Sequence, residues 1–230
     1  MEKKFLLFDV DHTLLDFSTS EKKALKQCFA SLGIPFNEEI LAWYLSHNQK
    51  LWASYENGSI PREAIFESRF TDTFSQFSIH ADGNLMEKTY RQALSEGIDL
   101  IENALEVVTK LSQTHKLYIT TNGLASTQEK RLKASGLSSY FQATFVSEAM
   151  GFQKPMVAYF DYCFARIPSF QKKEALIIGD SLSSDIQGGI RAGIDTCWFN
   201  PAHLPNETPF QPTFEIHNLL ELLELLEINY

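Results

Sequence analysis

The stretch Phe5-Leu6-Leu7-Phe8-Asp9-Val10-Asp11-His12-Thr13 decides how this chain is read. Phe5 to Phe8 is an unbroken apolar run with carboxylates directly after it. A strand with one wet face alternates apolar and polar side chains, whereas a strand covered on both faces does not. The run therefore predicts a strand inside a parallel sheet with helices on either side. Side chains alternate along extended backbone, so Asp9 and Asp11 fall on one side as the chain leaves the sheet. Two adjacent carboxylates repel and share a proton unless a cation intervenes. Taken alone, the pair reads equally well as solvated turn residues.

Working outward, similar apolar runs occur at Leu117 to Thr120, Ala175 to Ile178 and Thr196 to Phe199, with a weaker one at Ala143 to Val146. Helical patterns separate them: Asn103 to Leu111, Ala125 to Ala134 closed by Gly136, Val157 to Arg166, and Asp185 to Ala192 closed by Gly193. This alternation predicts an α/β fold with a five-stranded parallel sheet. Residues 18–97 differ, with no strand pattern and four helical ones. The first opens on the capping-box spacing Ser18-Thr19-Ser20-Glu21 and ends at Gly33. The second spans Asn37 to Glu56, the third starts near Pro61, and the fourth runs from Asn84 to Ser95. The expected division is a core of residues 1–17 and 98–230, with 18–97 inserted as an all-helical cap. The tail Leu219 to Glu227 reads as a terminal helix laying leucines on the sheet, the alternative being a dimerisation helix. Monomer and homodimer both stay open.

A chain of 230 residues can bury one sizeable core plus a smaller unit. Its 29 acidic and 20 basic side chains leave a net charge of −9, which disfavours nucleic-acid polymers and anionic membrane surfaces as partners. Cys28, Cys163 and Cys197 are odd in number and far apart, the pattern of reduced, buried thiols. The apolar run at the start stops at Asp9, too short for a signal core or a membrane span, and a cytoplasmic location is expected by default.

Three further segments carry chemistry-bearing residues. Ile119-Thr120-Thr121-Asn122-Gly123 places a hydroxyl, an amide and a glycine at the head of a helix, which suits an anion or a simple N-cap. Gly151-Phe152-Gln153-Lys154-Pro155 puts a lysine ahead of a helix-starting proline. Ile178-Gly179-Asp180-Ser181-Leu182-Ser183-Ser184-Asp185 offers two acids as hard oxygen ligands for Mg²⁺, or as caps. Each is ambiguous alone. All of them, with the Asp9 segment, lie where an expected strand gives way to a loop, the end at which open α/β sheets bind ligands.

The order Asp-x-Asp-x-Thr, a strand ending in Thr, Lys-Pro, then Gly-Asp with a second Asp five residues on resembles the haloacid dehalogenase superfamily. The helical insertion resembles that superfamily's cap. The Ile119 to Gly123 segment, with Gly179-Asp180-Ser181 and Gly188-Gly189-Ile190-Arg191-Ala192-Gly193, resembles its pyrimidine 5′-nucleotidase branch. The resemblance implies a Rossmann-like core and a Mg²⁺-dependent phosphomonoester hydrolase acting on a small phosphorylated metabolite, a nucleoside 5′-monophosphate. It makes Asp9 the nucleophile and Asp11 the general acid and base. Thr121, Asn122 and Lys154 would bind the phosphate. Asp9, Asp11 (through its main-chain carbonyl), Asp180 and Asp185 would hold the metal, the last directly or through water. Thr13 would order the loop, and His12 would point away from the acids.

Alternatives within the superfamily are a sugar-phosphate or sialic-acid phosphate phosphatase, or a phosphomutase. A dehalogenase is disfavoured because halide leaves without a proton and has no use for Asp11. A non-enzymatic receiver-like module would be about half this length and lack the insertion. In the cap, Leu41, Tyr44, Leu45, Asn48, Trp52 and Tyr55 recur at helical spacing and predict a stripe joining two helices, the alternative being a base-stacking pocket. Phe17 is a further, weaker candidate beside the cap junction.

Overall fold

Phe5–Phe8 forms β1, with all four side chains buried. In this computed structural model, which describes residues 3–227, the chain then makes four helices in succession. These are α1 (Phe17–Ser31), α2 (Glu38–Glu56), α3 (Arg62–Gln76) and α4 (Gly83–Leu94). There follow α5 (Ala104–Leu111), β2 (Lys116–Thr121), α6 (Ala125–Ala134), β3 (Phe141–Val146), α7 (Ser147–Met150) and α8 (Val157–Phe164). The chain closes with β4 (Ala175–Gly179), α9 (Gln187–Ala192), β5 (Asp195–Phe199), β6 (Phe214–Ile216) and α10 (Glu221–Leu225). A wide π-type turn, Leu182–Ile186, links β4 to α9. Of the described residues, 3–17 and 98–227 form one compact unit, and Ser18–Gly97 forms a second.

The sheet is parallel throughout, in the order β3-β2-β1-β4-β5-β6. It has six strands where five were expected. The addition is Phe214–Ile216 at the edge, paired with β5 through Cys197↔Phe214 and Phe199↔Ile216. Three residues are too few to display a strand period, so only pairing reveals it. Because β1 is central, its side chains serve two cores. Leu6 and Phe8 pack with Leu117, Ile119, Leu176 and Ile178 beneath α5 and α10, while Phe5 and Leu7 pack with Tyr118, Ile177, Tyr159 and Phe160. Each such side chain contributes roughly 1.5–3 kcal/mol on burial. The terminal leucines Leu219, Leu222, Leu223 and Leu226 join the first of these cores, as the terminal-helix reading expected.

In the second unit, Asn37 caps α2 by accepting from the Ile40 amide at 2.9 Å. The α2 stripe packs on its neighbours. Tyr44 stacks on Phe70 at 5.0 Å between ring centroids, and Trp52 lies edge-on to Phe66. Arg69 makes a buried two-point pair with Glu87 at 2.6 and 2.7 Å. The expected capping box is displaced: α1 begins at Phe17, so Ser18 lies within it, and Glu21 Oε1 accepts from Asn48 and Tyr90. A buried carboxylate with two side-chain donors nearby gains more from them than from an exposed helix end. The three cysteines are free and buried. Among the described residues no helix is long and apolar enough to cross a membrane.

Candidate active site

Strand register builds the site. Phe8 stands level with Ile119 of β2 on one side and Ile178 of β4 on the other. The next residues, Asp9, Thr120 and Gly179, therefore emerge at one height, and the Asp9 amide donates to the Ile178 carbonyl at 2.9 Å. The chain places β2 and β3 on one flank of β1 and β4, β5 and β6 on the other. That reversal makes a crevice at the carboxyl ends of the strands.

Into it point Asp9, Asp180 and Asp185, each with a carboxylate oxygen within 4.8 Å of the others. Lys154 Nζ donates to Asp9 Oδ1 at 2.6 Å, Asp185 Oδ1 at 2.6 Å and the Thr120 carbonyl at 2.9 Å. An ammonium has three hydrogens, so each is committed. Asn122 holds the lysine's backbone at two points: its Oδ1 accepts from Lys154 N at 2.9 Å, and its Nδ2 donates to Lys154 O at 3.0 Å. Asp185 Oδ2 accepts from Ser181 N at 3.2 Å. Gly179 is required for this packing, since a Cβ there would collide with the Asp185 carboxylate. Thr13 Oγ1 donates to Asp180 Oδ1 at 3.4 Å, tying the first loop to the fourth strand.

Burial pushes the Asp9 carboxyl up to about 8, helped by Asp185 and Asp11 and opposed by Lys154. Asp180 is raised well above the usual carboxylate range by loss of solvent and by Asp9 and Asp185. Burial works against the Lys154 charge, but Asp185 and Asp9 outweigh it and hold the ammonium above its ordinary value. The lysine therefore stays charged, and the strain falls on the crowded acids. Three converging carboxylates with a surplus of negative charge suit a hard, oxygen-seeking dication, so the residues fit Mg²⁺.

The Asp11 carboxylate lies apart from this cluster. Its Oδ1 accepts from Arg131 Nη1 at 2.5 Å and its Oδ2 from Gln128 Nε2 at 2.8 Å. Gln128 Nε2 also reaches Thr121 Oγ1 at 2.9 Å. These two α6 side chains were missed from sequence, because long polar residues on a helix normally face water. Both are 1% exposed, and their i,i+3 spacing after Thr-Thr-Asn-Gly was the available signal. His12 has φ 62 and is exposed, its ring edge-on to Phe17 at 5.3 Å.

The family profile described as haloacid dehalogenase-like hydrolase matches residues 6–199. The chain belongs to the haloacid dehalogenase-like hydrolase family. Among relatives of this family, YfnB of Bacillus subtilis, a HAD-hydrolase by name, is 47% identical over 97% of this chain and 95% of its own. A crystal form of YfnB bound to magnesium superposes with a TM-score of 0.95 at 46% identity, covering 99% of this chain and 100% of that one. Pyrimidine 5′-nucleotidase PynA of Streptococcus pneumoniae is 39% identical over 98% of this chain and 96% of its own. Pyrimidine 5′-nucleotidase YjjG of Escherichia coli is 31% identical, covering 98% and 99%. With this family membership and these relatives, the protein is a phosphatase of the haloacid dehalogenase-like kind.

Proposed function

We propose that this phosphatase hydrolyses nucleoside 5′-monophosphates, pyrimidine nucleotides foremost, through an aspartyl phosphate formed on Asp9. The observation that carries the reading is the separation of the two acids. Asp9 sits among carboxylates and a lysine at the sheet's mouth, while Asp11 is held away from that cluster by Gln128 and Arg131. That separation supports a reading in which one acid attacks and the other exchanges protons.

The Asp9 carboxylate attacks phosphorus as the ester P–O bond breaks. Asp11 gives its proton to the departing oxygen, then takes one from the water that attacks the phosphoryl-Asp9. Thr121, the Asn122 main-chain amide and the charge of Lys154 stabilise the equatorial oxygens, where negative charge accumulates. Mg²⁺ would be held by Asp9, Asp180, Asp185 and the Asp11 carbonyl, and supplies charge neutralisation at the phosphate when bound. The pyrimidine preference is supported by the nucleotidase names of two relatives.

The test is phosphate release with Mg²⁺ from dUMP, dTMP, UMP, purine nucleotides, hexose phosphates and N-acetylneuraminate 9-phosphate, beside Asp9→Asn. The variant should lose on the order of 10³-fold or more in kcat and stay folded, with pyrimidine nucleotides leading the panel. Substantial turnover by Asp9→Asn removes the covalent mechanism. A profile led by purines or sugar phosphates removes only the nucleotide preference.

A further inference from the structure

Arg131 and Gln128, which hold Asp11 apart from the carboxylate cluster, touch no reacting atom in the scheme above. Arg131 and Gln128 project from one face of α6, a turn apart, and each takes one oxygen of Asp11. They are also joined to each other, Arg131 Nη1 donating to Gln128 Oε1 at 3.1 Å. Ordering two long polar side chains in an interior is entropically costly, so the arrangement needs a compensating interaction. The charge-assisted bond from guanidinium to carboxylate supplies it.

Gln128 acts in a second direction. Its Nε2 donates to Thr121 Oγ1 at 2.9 Å, and the Gly123 amide donates to the same oxygen at 3.1 Å. A hydroxyl has two lone pairs and one hydrogen. With both lone pairs taken, the Thr121 hydrogen must point elsewhere as a donor. Gly123 permits the approach, since a Cβ there would stand 2.7 Å from Gln128 Nε2.

We propose that Gln128 and Arg131 are positioning residues that fix Asp11 for proton exchange, and that Gln128 also makes Thr121 a dedicated donor to the phosphoryl group. The inference rests on the acid and base role given to Asp11 above. Each carboxylate oxygen keeps a second lone pair, so the clamp leaves room for the proton. That proton passes from Asp11 to the ester oxygen as the P–O bond breaks. The resulting carboxylate is stabilised by the guanidinium until it takes a proton from the attacking water.

The test compares kcat/KM for a nucleoside 5′-monophosphate and for p-nitrophenyl phosphate, because p-nitrophenolate leaves without a proton and an alkoxide does not. The variants are Asp11→Asn, Arg131→Met, Arg131→Lys and Gln128→Leu, each checked by thermal unfolding. Arg131→Met should lose at least about tenfold more on the nucleotide than on the aryl ester, within the range of general acid catalysis. Asp11→Asn should show the same bias, and Arg131→Lys should recover part of the loss. Gln128→Leu should share the bias and also weaken inhibition by inorganic phosphate several-fold. Equal losses on both substrates in the α6 variants, with Asp11→Asn still biased, overturn the clamp alone. No bias in Asp11→Asn removes the acid role itself, and the clamp with it. Should Arg131→Met fail to fold, Arg131→Lys and Gln128→Leu decide, and an absence of bias in both overturns the proposal.

Discussion

Lys154 Nζ lies 2.6 Å from Asp9 Oδ1, joining residues 145 positions apart inside the crevice. The same ammonium is 2.6 Å from Asp185, and the lysine side chain is 2% exposed. One buried cation thus faces three carboxylates. It binds two of them and leaves the group net negative when all are ionised, the condition under which a divalent ion is most strongly attracted.

Removing that cation should therefore be expensive. Lys154→Met leaves Asp185 buried without its counter-charge, and breaking a buried pair from one side typically costs about 3–5 kcal/mol. Urea unfolding near neutral pH should show a loss of that order, with phosphatase activity falling alongside. A change below about 1 kcal/mol would mean that the ammonium does not hold the acids together.

The raised acids give stability a definite pH sign. Asp9 titrates at about 8 in the folded chain against 3.8 unfolded, so between those values the folded state binds the extra proton. Its contribution therefore favours folding at low pH and is progressively lost as pH rises toward about 8. Asp180, also raised, has the same sign. In EDTA the melting midpoint should fall across this window, while the increment from added Mg²⁺ should grow, because the ion takes the deprotonated carboxylates. A magnesium increment that shrinks with rising pH would contradict the assignment of these acids as ligands.

Gly179→Ala should displace Asp185 by sterics alone. The added methyl meets the Asp185 carboxylate, which Lys154 and the Ser181 amide hold in place. Overpacking of this kind costs roughly 1–3 kcal/mol. Thermal unfolding should report that loss, and phosphatase activity should drop with it. Wild-type stability and activity together would show that the carboxylate moves freely.

The parts legible in the sequence are those written in local pattern. Phe5 to Phe8 announces a doubly covered strand because neither face offers a polar residue, and the leucines of the tail announce a buried helix by their spacing. The six-stranded sheet departs from expectation only at Phe214–Ile216, where the pattern is too short to read. The segments bearing Asp9, Lys154, Asp180 and Asp185 were expected to meet at the carboxyl ends of the strands; Lys154 comes only after α7, which follows β3, and the side chains do converge.

What the sequence alone determined was the parallel α/β core, the helical insertion and the strand ends that carry the acids, since hydrophobic period and chain order are properties of neighbouring residues. Only the tertiary structure decided that Asp11 goes to Gln128 and Arg131, residues 117 and 120 positions away, and that Lys154 commits its hydrogens to Asp9, Asp185 and Thr120. Those pairings depend on strand register and on ångström-scale reach between segments distant in the chain. A polar side chain read in isolation is indistinguishable from one that faces water.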